Sequence, residues 1–306
     1  MADLSTTVGE VALPNPVMTA SGTAGHGAEL DAYVPLRELG AHVVKSLSAD
    51  PWPGNLSPRV HSTTAGMLNS VGLQGPGVSA WLDHDLPALE KSGARVIASI
   101  WGRTVDEYAK AAALLRGAPA SVIAAEVNLS CPNLDGGKHL FAQSGADTSA
   151  AIRAVTGELD RPVWAKLTAH VTNLVDIAAV AQQAGAGAVT VTNTMLGLAI
   201  DVTSERYLLG SGPGGGGLSG PAIHPIAVRA VHDVHAALPD LPIVGVGGVT
   251  SAETAVELLL AGASAVQVGT ATFADPRAAG RVLRDLGHWC ERRGVARVRE
   301  IIGRAK

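Results

Sequence analysis

Eight short apolar segments recur along the chain, and they constrain its fold more than any other feature. They are rich in Val, Ile and Ala and almost continuously apolar, which is typical of parallel strands buried on both faces. We therefore predict eight parallel strands. These are Val17–Ala20, His42–Ser46, Val96–Ile100, Ala124–Leu129, Val163–Leu167, Ala188–Thr192, Ile243–Val246 and Ala265–Val268.

Helical sequence lies between these strands. Thr104–Arg116 opens with Thr-Val-Asp-Glu, which is typical of a capping box. Two further helices, Thr172–Ala184 and Ser251–Ala261, are followed by Gly-Ala, where the glycine suits a C-cap. Eight strand–helix units predict an α/β fold, a (β/α)8 TIM barrel in which residues 1–306 form a single domain. A doubly wound sheet is the alternative, but such sheets usually have fewer strands and an early glycine-rich turn.

Three connections are longer than ordinary loops, namely Ala49–Ser79, Ser130–Asp147 and Met195–Gly217. Each follows the C-terminal end of a predicted strand, where barrel enzymes build their active sites. The fold prediction therefore includes extended loops at the C-terminal face, and we expect the functional residues there.

Composition excludes several classes of protein. A net charge of -4 does not suit a nucleic-acid-binding surface, which needs a basic patch. No apolar run reaches the ~18–20 residues that cross a bilayer, and the N-terminus lacks the layout of a signal peptide. The only two cysteines, Cys131 and Cys290, provide neither a disulfide framework nor the ligands of an iron–sulfur cluster. We therefore expect a cytoplasmic protein without a membrane span.

Polar side chains end four of the predicted strands: Lys45, Asn128, Lys166 and Asn193. Since the C-terminal ends of barrel strands meet at one mouth, these four donors should converge. A lysine that ends an apolar strand is costly unless it meets an anion or an electron-rich ring. Contact with solvent alone is the other explanation, and it accounts for one such residue better than for four at matched positions.

Glycines follow the last two predicted strands, as Gly247-Gly248 and as Gly269-Thr270. Barrels commonly bind phosphate with the backbone N–H groups of these two turns, and glycine permits the close approach of the anion. The segment 217–221, Gly-Leu-Ser-Gly-Pro, can direct further N–H groups to the same place. The pattern indicates a phosphorylated ligand such as FMN.

Cys131 lies just past the fourth strand, in the polar sequence Asn-Leu-Ser-Cys-Pro-Asn. A thiolate acts as a general base where its surroundings lower the thiol pKa, although a free thiol without a role is the other interpretation. Cys290 lies in a late amphipathic helix, where we predict that it packs in the core. His232 and His235 have no acidic or cysteine partner in register, so no metal site is predicted.

These motifs resemble the class 1 dihydroorotate dehydrogenases over nearly the whole chain, from Asn15 to Ala271. The resemblance is most specific in the segments 20–23, 66–73, 128–133 and 217–221. A cysteine base distinguishes class 1 from the membrane-associated class 2, which uses serine.

The resemblance implies that the chain oxidises dihydroorotate to orotate in pyrimidine biosynthesis. Cys131 would remove a proton from C5 while a hydride passes from C6 to N5 of FMN. Lys166 would stabilise the negative charge that develops at the N1/O2 edge of the flavin. The loop Ser130–Asp147 would close over the substrate and exclude water.

The same resemblance implies two sets of binding residues. The substrate set is Lys45, Met67, Leu68, Asn69, Ser70, Gly72, Leu73, Asn128, Asn133, Asn193 and Thr194. The FMN set is Ala20, Ser21, Gly22, Lys45, Ser46, Ser99, Asn128, Lys166, Thr192, Ser219, Gly220, Gly247, Gly248, Gly269 and Thr270. The chain departs from the family at 23–27, where aromatic residues are usual, and at Ser99, where asparagine is frequent.

Within class 1, the sequence is most similar to the NAD-linked, two-subunit class 1B. This implies a partner subunit that carries FAD and a [2Fe–2S] cluster, and a homodimer of catalytic subunits at the centre of the assembly. Two other functions stay open. One is an FMN-dependent pyrimidine oxidoreductase of the dihydropyrimidine dehydrogenase type, which shares Asn-Leu-Ser-Cys-Pro. The other is a non-catalytic flavin- or phosphate-binding barrel.

Overall fold

The computed structural model describes residues 2–130 and 140–305. Its strands, in chain order, are β1 (Thr6–Val8), β2 (Val11–Leu13), β3 (Val17–Thr19), β4 (His42–Val43), β5 (Val60–Thr63), β6 (Gly66–Asn69), β7 (Val96–Ile100), β8 (Val122–Asn128), β9 (Val163–Leu167), β10 (Ala188–Val191), β11 (Met195–Gly197), β12 (Ile200–Asp201), β13 (Arg206–Tyr207), β14 (Gly216–Ser219), β15 (Ile243–Val246) and β16 (Ala265–Val268). The helices are α1 (Val78–His84), α2 (Leu86–Ser92), α3 (Val105–Leu115), α4 (Gly145–Glu158), α5 (Leu174–Gln183), α6 (His224–Ala237), α7 (Ala252–Ala261), α8 (Ala271–Ala274) and α9 (Ala278–Arg292).

The main sheet consists of eight parallel strands in the order β3-β16-β15-β10-β9-β8-β7-β4. A parallel bridge between Met18 and Ala41 joins its first and last strands, so the sheet curves into a barrel rather than staying open. The predicted (β/α)8 TIM barrel is confirmed, and the doubly wound alternative is wrong. All eight predicted strands are present, because continuous Val- and Ile-rich segments are buried on both faces.

The second predicted strand, His42–Ser46, is shorter in the structure, where β4 ends at Val43. Beyond Val43 the pairing becomes irregular, because the N–H groups of Val44 and Leu47 donate to Ile97 and Ser99 of β7 with two residues between them. The N–H of Lys45 faces the other side and donates to the carbonyl of Gly25, in the loop after β3.

Side-chain caps set the starts of the predicted helices. Thr104 accepts a hydrogen bond from the N–H of Glu107 and begins α3, whereas the Glu107 carboxylate bonds the N–H of Arg103 instead of completing the box. Ser251 and Thr254 form a reciprocal capping box at α7. Asn173 caps α5, so this helix begins two residues after the predicted Thr172.

The barrel interior is closed at its N-terminal end by the antiparallel hairpin of β1 and β2, which the sequence analysis did not predict. Val8 and Leu13 of this hairpin pack with the inward-facing side chains of the barrel, among them Met18 and Trp164. Burial of this apolar surface leaves the C-terminal end as the place for a ligand.

Two of the three long connections contain strands that were not predicted. From 49–79 come β5 and β6, and from 195–217 and the residues just after it come β11 and β14. Together they form a four-stranded antiparallel sheet in the order β11-β14-β6-β5, called the mouth sheet below. The extended loops at the C-terminal face are thus present as predicted, but they pair with each other.

The third long connection, Ser130–Asp147, is described only from Leu140 onward and at Ser130 itself. Its final part is a helical turn at Phe141–Gln143, after which α4 begins at Gly145. Its predicted closure over a substrate stays a prediction. In the described ranges, the helices are all too short or too polar to traverse a lipid bilayer.

Candidate active site

An open cleft lies between the C-terminal ends of the barrel strands and the mouth sheet, with a volume of about 1220 Å³ that includes its entrance. Most of the predicted binding residues line it. They are Ala20, Ser21, Gly22, Lys45, Ser46, Met67, Asn69, Gly72, Leu73, Asn128, Lys166, Thr192, Asn193, Thr194, Ser219, Gly220, Gly247, Gly248, Gly269 and Thr270. The four polar strand ends therefore converge on one cleft.

Three predicted residues lie behind this lining. Leu68 is buried because side chains alternate along β6, so that Met67 and Asn69 face the cleft while Leu68 faces away. Ser70 and Ser99 are buried as well. Cys131 and Asn133 lie outside the described residues, so their roles stay predictions.

A row of hydroxyl and amide groups runs across one wall of the cleft. The Oγ atoms of Ser21 and Ser46 are 3.2 Å apart, and those of Ser46 and Ser99 are 2.9 Å apart. The amide of Asn128 donates to Ser46 Oγ at 3.3 Å, and that of Asn193 donates to Asn128 Oδ1 at 3.1 Å. Each group fixes the orientation of the next, so donors and acceptors reach the cleft in a fixed arrangement. Ser99 acts through Ser46 in this row.

A buried ionic network lies one layer below the cleft, and the sequence analysis did not identify it. Lys166 Nζ lies 3.2 Å from Glu126 Oε1 and 3.4 Å from Gln267 Oε1. Glu126 Oε2 accepts hydrogen bonds from Gln267 Nε2 at 2.7 Å and from Thr190 Oγ1 at 2.9 Å. The sequence could have revealed this network through the alternation of side chains along a strand. Glu126, Thr190 and Gln267 are polar residues at inward-facing positions within apolar strands.

The two glycine turns after β15 and β16 have the geometry of a close-approach site. Gly247 and Gly248 have φ values of 135° and 68°, which L side chains rarely adopt. A Cβ atom at Gly248 would lie 2.6 Å from the Cβ of His224. Within residues 2–130 and 140–305, we find no acceptor for the N–H groups of Gly247, Gly248 and Gly269. Such N–H groups facing a cleft suit a phosphate.

Two contacts support these turns from the side. His224 of α6 bonds the carbonyl of Gly247 through Nδ1 at 2.8 Å, and its Nε2 lies 3.0 Å from the Glu257 carboxylate. Thr270 Oγ1 donates to Ser219 Oγ at 2.7 Å, which joins the last barrel turn to the mouth sheet. Neither His224 nor Glu257 was singled out from the sequence, because each becomes adjacent to the turn only in the folded barrel.

The segment 23–27, which departs from the family pattern, holds His26 close to Lys45. Burial lowers the pKa of His26, and the Lys45 ammonium lowers it further, while Asp85 and Glu29 act in the opposite direction. Burial thus favours the neutral form of the His26 ring.

Outside the cleft, the predicted core role of Cys290 is confirmed, since its side chain is buried among apolar residues of the outer layer. His232 is exposed on α6, and its Nδ1 lies 3.3 Å from the Asp233 carboxylate. Among the described residues there is no group of three or more His, Cys, Asp or Glu side chains that could hold a metal ion.

The barrel, together with a cleft at the C-terminal ends of its strands, defines the chain as an α/β-barrel enzyme. Sequence comparison then identifies its family, because the sequence model of the dihydroorotate dehydrogenase family matches residues 3–289. The chain belongs to the dihydroorotate dehydrogenase family. It is thus an oxidoreductase, of a family that is FMN-dependent in general.

Relatives of the chain share one description, dihydroorotate dehydrogenase B (NAD(+)), catalytic subunit. The protein from Desulforudis audaxviator (strain MP104C) is 46% identical over 293 residues, which cover 96% of this chain and 94% of the relative. The protein from Trichlorobacter lovleyi is 42% identical over 300 residues, which cover 98% of this chain and 97% of the relative. The family predicted from the motifs is confirmed, and so is the similarity to its NAD-linked group.

Proposed function

We propose that this chain is the catalytic subunit of an NAD-linked dihydroorotate dehydrogenase, which converts dihydroorotate to orotate with FMN as the first electron acceptor. One observation carries the proposal: two lysines and three asparagines line the same cleft as the glycine turns after the last two barrel strands. A planar anion and a phosphorylated cofactor therefore have their recognition groups side by side.

Substrate recognition is assigned to the wall formed by Asn69, Asn128 and Asn193. Carboxamides both donate and accept hydrogen bonds, which suits the alternating N–H and C=O groups of a dihydropyrimidine ring. Lys45 adds a positive charge for the substrate carboxylate. The other members are Met67, Leu68, Ser70, Gly72, Leu73, Asn133 and Thr194, of which Leu68 and Ser70 support the lining from behind.

Cofactor binding is assigned to the other residues of the cleft. Gly247, Gly248, Gly269 and Thr270 would hold the FMN phosphate, and the N–H groups of the first three, which have no acceptor in the part of the chain that the structure describes, support this assignment. The ring and ribityl chain are assigned to Ala20, Ser21, Gly22, Ser46, Lys166, Thr192, Ser219 and Gly220, with Ser99 behind Ser46. Bound FMN supplies a two-electron acceptor for the C5–C6 bond of the substrate.

Proton removal from C5 is assigned to the Cys131 thiolate. Ser130, the residue before it, lines the cleft, and its N–H donates to Asn128 Oδ1 at 3.2 Å. This contact ties the start of the Cys131 segment to the substrate wall, which supports the assignment.

The assembly is also part of the proposal. The relatives are named catalytic subunits, which supports a separate electron-transfer subunit, here assigned FAD and a [2Fe–2S] cluster. A homodimer of this chain is supported by exposed apolar side chains at Leu196, Leu198, Ile200 and Val202. We further propose that residues 1–306 act as one catalytic domain and that the protein is cytoplasmic.

The proposed function can be tested on the purified chain, expressed without a partner. It should contain FMN, and under anaerobic conditions dihydroorotate should bleach the flavin absorbance, whereas dihydrouracil should not. Bleaching by dihydrouracil would identify a dihydropyrimidine dehydrogenase type of enzyme instead. Bound flavin that neither compound reduces would point to a non-catalytic barrel. Turnover should appear with an artificial dye and be slow with NAD, fumarate or a quinone, and rapid NAD reduction by the chain alone would contradict the two-subunit assignment.

A further inference from the structure

Glu126 carries a carboxylate into the centre of the barrel, where its side chain is 0% exposed. Burial of such a group is costly unless it is paired and its oxygens accept hydrogen bonds. Both oxygens are used here. One meets the Lys166 ammonium at 3.2 Å, and the other accepts from Gln267 and Thr190.

Glu126, Thr190 and Gln267 are buried just below the cleft, and Lys166 extends from them to the cleft lining. Glu126 is two residues before Asn128 on β8, so it lies on the same face of the strand and one layer deeper. Lys166 lines the cleft, whereas Glu126, Thr190 and Gln267 do not. Glu126 can therefore reach a ligand only through Lys166.

Lys166 has three N–H donors, and the described residues provide two acceptors for them, Glu126 Oε1 and Gln267 Oε1. Both acceptors lie below the ammonium, within the barrel. The third donor is then directed to the cleft side, where Lys166 lines the space assigned to the flavin. Glu126 and Gln267 fix the direction of the Lys166 ammonium, and Glu126 supplies a compensating negative charge.

We propose that Glu126 is a positioning residue of the reaction, which holds Lys166 at the space assigned to the flavin and sets the reduction potential of the flavin by offsetting the lysine charge. The inference rests on the proposed function, since it takes FMN as the occupant of the cleft. Thr190 and Gln267 keep the carboxylate in place. A bare cation at this position would favour the anionic reduced flavin more strongly than the compensated pair does.

The test is the midpoint potential of bound FMN, measured in the intact holo-chain by equilibration with a reference dye. In Glu126→Gln, the ratio of affinities for reduced and oxidised FMN should rise about tenfold, which is about 30 mV for a two-electron couple. Thr190→Val should shift the potential by less, because the carboxylate keeps its charge but loses one of the donors that hold it in place. An unchanged potential in a folded, FMN-loaded Glu126→Gln chain would overturn the proposal.

The double variant separates action through Lys166 from a merely structural effect. In the Lys166→Met background, Glu126→Gln should shift the potential little, because the mediating ammonium is gone. An equal shift in both backgrounds would contradict the positioning role. Thr148→Val is the matched control, since the Thr148 hydroxyl is also buried and makes one hydrogen bond, to Phe141, but lies in the helical layer. It should leave the potential unchanged.

The remaining outcomes distinguish failure of this inference from failure of the proposed function. If Glu126→Gln does not fold, Thr190→Val decides alone, and a potential equal to that of the wild type then overturns the proposal. If the wild-type chain binds FMN and is reduced by dihydroorotate but the variants show no shift, the inference fails and the proposed function stands. If the wild type binds no flavin, both fail.

Discussion

Single side chains at the barrel mouth act through their neighbours. The Asn193 amide orients Asn128, Asn128 orients Ser46, and Ser46 contacts Ser21. A substitution in this row should therefore affect more than one ligand contact, and its effects should not add to those of its neighbours.

The proposed base gives the sharpest prediction at the scale of a residue. Cys131→Ala should lower the rate of flavin reduction by dihydroorotate by about 10²–10⁴-fold, because the general-base contribution is lost. Cys131→Ser should keep slow turnover, and both variants should still contain FMN. Stopped-flow absorbance measures the rate directly.

The second cysteine supplies the matched control for that experiment. Cys290→Ala removes a thiol that is buried in the core away from the cleft, so it should lower stability slightly and leave the rate of flavin reduction unchanged. Wild-type rates of flavin reduction in Cys131→Ser, or equal losses of rate in the Cys131 and Cys290 variants, would show that Cys131 is not the base.

Sequence patterns predicted the residues at strand ends better than those inside strands. Lys45, Asn128, Lys166 and Asn193 stood out because a polar residue closes an apolar run. Glu126 and Gln267 did not, because each lies within such a run, and only the inward direction of its side chain reveals its partner. The hydrogen bond from the Gln267 amide to the Glu126 carboxylate joins residues 141 positions apart, which no local pattern encodes.

At the scale of elements, the strands were predictable because each is a long enough apolar segment to be recognised alone. The strands of the mouth sheet were not, because none of them is a continuous Val- and Ile-rich segment and they pair with a distant part of the chain. Asn69 of β6, for example, bonds Gly217 of β14 across 148 residues of sequence. The N-terminal hairpin was missed because its two strands have only three residues each.

The turn after β15 yields a prediction about stability and cofactor binding. Gly248→Ala should destabilise the protein by at least about 1–2 kcal/mol, because alanine is strained at a φ of 68° and its Cβ would meet His224. The distorted turn should also weaken FMN binding. Thermal unfolding and the fluorescence of released flavin measure both effects.

Gly157 in α4 is the matched position, since a Cβ there meets nothing within 4 Å. Gly157→Ala should be neutral or stabilise the helix by about 1 kcal/mol and leave FMN binding as in the wild type. Normal flavin affinity in Gly248→Ala would show that the turn does not hold the phosphate.

At the scale of the whole molecule, stability should depend on pH through a histidine far from the cleft. His42 is fully buried, and within the described residues its Nε2 has no hydrogen-bond partner. Burial lowers the pKa of His42 to about 4. In the unfolded chain, a histidine has an ordinary pKa of about 6.5. Between about pH 6.5 and pH 4, the unfolded chain therefore binds a proton at His42 that the folded chain does not bind.

The sign follows from this difference. The contribution of His42 to the free energy of unfolding is fully present above about pH 6.5 and is lost as the pH falls towards 4, with a total on the order of 3 kcal/mol. His42→Gln should flatten the pH dependence of stability in this window. His232→Gln, at an exposed position on α6, should not. Identical slopes for wild type and His42→Gln, from denaturant unfolding at several pH values, would contradict the assignment.

The mouth sheet also limits how this enzyme can change. Its two halves come from separate insertions, and Gly66 and Gly216 lie so close to the opposite half that any side chain there would overlap with it. Neither insertion can be exchanged alone for that of a distant family member unless the contact between β6 and β14 is rebuilt. A chimaera that receives both insertions together should keep a folded mouth sheet, whereas one that receives a single insertion should not. The two insertions must therefore diverge as a pair.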